Sequence, residues 1–77
     1  MNKALLESKM KLFGDRQEDL AEAIGISLAR FNAKLNETNG AQFTQDEIKK
    51  IKARYHLTGE EVDAIFFNID VSQKHTL

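Results

Sequence analysis

The stretch Gln17-Glu-Asp-Leu-Ala-Glu-Ala-Ile-Gly-Ile-Ser-Leu-Ala-Arg-Phe-Asn-Ala-Lys-Leu-Asn36 decides how the rest of the chain reads. Its apolar residues recur at helical spacing on both sides of Gly25-Ile26-Ser27, which predicts two short helices around a tight corner. Gly25 suits the left-handed residue that closes a helix, and Ser27 suits the cap that opens the next. Leu20, Ala21 and Ile24 form the inner face of the first helix. Phe31 and Leu35 form that of the second, expected over residues 28–36. Ala21 is small enough to let the helices approach, and Leu20, Ile24, Ile26 and Phe31 lock the pair near a fixed angle.

Outward from this segment the pattern stays helical, with no alternation of period two. A first helix, residues 2–12, starts at an Asn2 cap, turns Leu6, Met10 and Phe13 inward, and stops at Gly14. Asp15 and Glu18 have the spacing of a capping box that opens the second helix. Residues 37–43 form a loop with its turn at Asn39-Gly40. A capping box at Thr44 and Glu47 opens a fourth helix with Ile48, Ile51 and Tyr55 on one face. Another at Thr58 and Glu61 opens a fifth, with Val62, Ile65, Phe66 and Ile69 inward. The expected architecture is all-α, a five-helix domain over residues 1–69 followed by a flexible tail over 70–77.

Seventy-seven residues suffice for one small core, and the lack of cysteine removes disulfides and thiolate metal sites. No apolar run is long enough for a signal peptide or membrane span, so a cytoplasmic protein with no membrane partner is expected. No residue pattern supports catalysis, a cofactor or a metal: His56 and His75 are far apart, and neither has ligand spacing around it. The formal net charge is −1, and residues 1–36 carry six basic against five acidic groups. A polyanion therefore meets little general attraction, so any affinity for one is expected to be modest and salt-sensitive.

Advancing about 100° per residue places Ala29, Ala33 and Asn36 directly away from the Phe31–Leu35 face, with Asn32 and Arg30 on the flanks. Ser27 leads this outer face and Leu28 falls nearer the core. Two alanines permit close backbone approach and contact with thymine methyls. Asn32 and Asn36 suit adenine, and Arg30 suits guanine. Lys34 and Arg16 are candidate phosphate contacts. Lys49, Lys50, Lys52 and Arg54 read as a solubilising face of the fourth helix. Phe66 and Phe67 cannot both face inward, which makes Phe67 a candidate dimer contact.

Gln17, Leu20-Ala21, Ile24-Gly25-Ile26-Ser27, Phe31 and Asn36 resemble the signature of the XRE-type helix-turn-helix family, the class of phage Cro and lambda-type repressors. Residues 43–67 resemble the last two helices of its small prophage-encoded members. The resemblance spans roughly residues 3–67. It implies a lambda-repressor-like domain, a homodimer on a palindromic double-stranded DNA operator, acting as a repressor or transcription regulator. Base-reading positions would be Gln17, Ser27, Ala29, Arg30, Asn32, Ala33 and Asn36. Phosphate contacts would fall on Arg16, Lys34, Thr38 and Asn39. The chain departs from the family in the loop after the reading helix, where the usual lysine or arginine is absent from residues 37–43. That loop and the near-neutral charge also suit a second reading, a protein-interaction module of the same fold.

Overall fold

The computed structural model describes residues 1–68, so the expectations for Ile69 and the tail 70–77 fall outside it. The described residues form five α-helices: α1 (Lys3–Leu12), α2 (Gln17–Ile24), α3 (Leu28–Leu35), α4 (Gln45–Arg54) and α5 (Gly59–Phe66). One turn of 3₁₀ helix, Thr38–Gly40, lies between α3 and α4. Among the described residues there is no strand, and no helix is long and apolar enough to cross a membrane.

Four of the five helices, α2 excepted, start where a side chain satisfies an orphan N–H group of the first turn. Asn2 Oδ1 accepts from the Leu5 N–H at 3.0 Å. Thr44 and Thr58 accept from the third helical N–H while Glu47 and Glu61 reach back, both at 2.9 Å, so these two capping boxes form as expected. The box expected at Asp15 and Glu18 does not form. Residue 16 is the actual cap position, and Asp19 supplies the return bond, accepting from the Arg16 N–H at 2.8 Å. Asp15 comes one residue too early because its N–H closes α1 on the Met10 carbonyl at 2.8 Å. Its carboxylate turns instead to Arg54, at 2.7 and 2.8 Å, and to the Tyr55 hydroxyl at 2.7 Å. Glu18 pairs with Arg16 at 3.0 Å.

The core is one cluster to which every α-helix contributes, with Leu6, Leu20, Phe31, Ile51 and Ile65 wholly enclosed. α2 packs on α3 and α4, and α5 closes the bundle against α1 and α4. Phe43 belongs to the core although it lies in a loop, its ring 5.7 Å from Phe31 and 5.9 Å from Phe66, edge-on to both. Phe13, expected inward, is 46% exposed, because it follows the last turn of α1 and leaves the Leu6–Met10 face. Its ring lies instead 5.0 Å from Tyr55.

Polar links between distant parts of the chain complete the frame. The Asn2 N–H donates to the Ile65 carbonyl at 2.6 Å, and Lys9 pairs with Glu61 at 2.5 Å, joining α1 to α5. The Asp15 carboxyl is held below its ordinary range, first by the Arg54 guanidinium and, against the opposing effect of burial, by the Tyr55 hydroxyl. Burial, then the neighbouring Asp15 carboxylate, pushes the Tyr55 hydroxyl well above its ordinary value.

Candidate functional site

The α2–α3 unit forms as its residues dictate. Gly25 closes α2 at φ 80° and ψ 29°, and the Ile26 N–H returns to the Ala21 carbonyl at 3.0 Å. Ile26 is half-buried against the core, and Ser27 Oγ accepts from the Arg30 N–H at 3.2 Å, starting α3. Phe31 and Leu35 are buried, so α3 is pinned along one side and offers the other.

The offered side differs from the wheel in two places. Ala29, Arg30 and Asn36 are exposed as expected. Ala33 is half-buried rather than pointing freely away, since a one-carbon side chain sits below the level of Arg30 and Asn36 one turn to either side. Leu28, expected nearer the core, is 43% exposed, and its neighbours Ser27, Ala29 and Arg30 in the first turn of α3 are exposed too. Asn32 is half-buried. Gln17, also half-buried, opens α2, and exposed Ser27 leads α3.

The candidate phosphate contacts divide. Arg16 is exposed but carries two acidic neighbours, Glu18 at 3.0 Å and Asp19 at 3.4 Å. Thr38 and Asn39 are exposed on the 3₁₀ turn, where Glu37 and Asn39 both take left-handed backbone at φ 53°. Lys34 is not open: its Nζ donates to both carboxylate oxygens of Glu47, at 2.6 and 2.8 Å. Burial acts to raise the Glu47 carboxyl, but the Lys34 ammonium and the Thr44 N–H outweigh it and hold the group below its ordinary range. Asn36 is committed too, donating to the Asn32 carbonyl at 3.0 Å and accepting from Lys3 Nζ at 2.6 Å.

Two residues beside the site escaped sequence reasoning. Glu47 was legible only as the return half of a capping box, and its ion pair with Lys34 spans thirteen positions with no periodic signal. Lys3 reaches Asn36 across an even larger separation. Phe67, the candidate dimer contact, is 46% exposed and lines a 140 Å³ cavity with Phe43, Ile48 and Phe66. Among the described residues, no three His, Cys, Asp or Glu side chains gather in a way that suits a metal ion.

Comparison with models of protein families, with curated proteins and with solved structures finds no match to this chain.

Proposed function

We propose that this chain is a sequence-specific DNA-binding transcription regulator of the lambda-repressor-like, Cro-type class, with α2 and α3 as its helix-turn-helix. The observation that carries this reading is the first turn of α3, where exposed Ala29 and Arg30 stand on a helix pinned by Phe31 and Leu35. A rigidly mounted helix with small side chains and one open guanidinium suits entry into the major groove. Arg30 reads guanine, the alanines admit thymine methyls, and Gln17 and Ser27 lie at the groove edge. A homodimer, meeting at Phe67, sets two copies of α3 about 34 Å apart on a palindromic operator. Occupying that operator excludes polymerase, so the regulator acts in the cytoplasm as a repressor.

The commitment of Lys34 and Asn36 to internal partners favours a second reading, a protein-interaction module that presents α3 to another protein. Selection from a pool of random duplexes, repeated along a salt series, separates the two. The DNA reading expects a recovered consensus at about 50 mM salt whose binding weakens steeply as salt rises. Failure to enrich any sequence at that permissive salt overturns it. Within a recovered site, Arg30→Ala should cost about 1–3 kcal/mol and relax preference at one base position. A uniform loss over all sequences would show Arg30 to be a backbone contact instead.

A further inference from the structure

The two basic side chains on one flank of α3 have opposite circumstances. Arg30 is exposed and has no ion-pair partner among the described residues. Lys34, one turn later, folds back onto Glu47, and both side chains are largely buried, 16% and 10% exposed. Glu47 is the fixed member of the pair. Its Oε1 also accepts from the Thr44 N–H, and its own N–H donates to Thr44 Oγ1 at 3.2 Å, so the start of α4 holds the carboxylate in place. The lysine, with its flexible stem, is the member that came to it.

We propose that Glu47 is an internal substitute for a DNA phosphate: by engaging Lys34 it sets an upper limit on how tightly α3 holds a duplex. This rests on the DNA-binding reading. A lysine that neutralises a phosphate releases condensed counterions and strengthens binding, whereas a lysine already neutralised by a carboxylate brings no net charge. Docking on a duplex does not release it, since moving Lys34 to a phosphate strands a nearly buried carboxylate without its cation. Removing the charge at Glu47 does release it. Glutamine keeps the return bond of the capping box, so Glu47→Gln alters the charge and spares the helix start.

The test uses the full chain as wild type, Glu47→Gln and the double variant Glu47→Gln/Lys34→Met, titrated against one fixed duplex along a salt series. The double variant removes both charges, Glu47→Gln leaves the Lys34 ammonium to reach solvent on its flexible stem, and circular dichroism checks the folding of both. Glu47→Gln should bind roughly 8-fold tighter near 0.1 M salt, with a salt slope steeper by about 0.9, the value of one added phosphate contact. The double variant should return to the wild-type slope. A gain that survives Lys34→Met belongs to the field of Glu47 alone and overturns the proposal, as does the absence of any gain. If no variant binds at about 50 mM salt, the DNA reading itself fails and the proposal goes with it.

A second readout needs no DNA. Brief acetylation mapped by mass spectrometry should spare Lys34 relative to the exposed Lys49 and Lys52 in the wild type, and label it in Glu47→Gln. Equal labelling of all three lysines in the wild type would overturn the internal pairing.

Discussion

The first and last turns of α3 share one short rod and one set of core anchors, yet they present opposite surfaces. The first turn presents Ala29 and Arg30 exposed to solvent. The last turn is bound in from both sides, by Glu47 at the start of α4 and by Lys3 at the start of α1. The difference teaches that a polar residue on an outward helix face is not thereby available. What matters is whether a residue from elsewhere in the chain reaches it first. Of the two basic side chains on α3, the one without an ion-pair partner among the described residues, Arg30, stands in the first turn.

Removing the anchor common to both turns should have the largest effect. Phe31 is wholly buried and stacked edge-on to Phe43, so Phe31→Ala is expected to cost about 3–5 kcal/mol, measured by urea unfolding. That is a large share of the stability of so small a domain, and both turns should loosen together. A cost below about 1 kcal/mol would mean that the two turns are held independently of Phe31.

The corner sharpens the comparison on the side of the first turn. Gly25 sits at φ 80°, and a Cβ there would meet nothing within 4 Å, so the cost of Gly25→Ala is backbone strain alone. About 1–2 kcal/mol is expected, read from the same unfolding curves. Retained stability with weakened sequence selection would mean that the corner had adjusted and re-aimed Ala29 and Arg30.

Acidification tests the tether on the last turn with the smallest effect. Glu47, Asp15, Asp19 and Glu61 are all held below the ordinary carboxylate range, so the unfolded chain takes up protons more readily than the native one. Their contribution is fully present above the ordinary values near pH 4 and is lost as pH falls through the depressed native ones. Unfolding midpoints should therefore be flat from about pH 7 to 5 and decline below about pH 4, less steeply in Glu47→Gln. A wild-type midpoint that rises on acidification would contradict the sign of these shifts.

Much of the fold was legible because its signals are local. The capping boxes at Thr44 and Thr58, the left-handed Gly25 and the Phe31–Leu35 face each depend on residues within one or two turns of one another. The Asp15 error has the same origin from the other side. The right spacing was present, but closing α1 claimed that residue's N–H, and a guanidinium and a phenol from the end of α4 claimed its carboxylate. Phe43 was read as a loop residue since no periodic neighbour marks it, and its burial follows from meeting Phe31 and Phe66 in space.

The amino-acid order by itself determined the helices, the corner between α2 and α3, and the side of α3 that faces the core. Backbone hydrogen bonding and apolar periodicity act over a few residues and leave their mark in the text of the chain. Only the tertiary structure decided which outward side chains stay available. Charges pair with whatever partner the folded backbone brings within reach, so Lys34 met Glu47, Asn36 met Lys3, and Arg30 remained open.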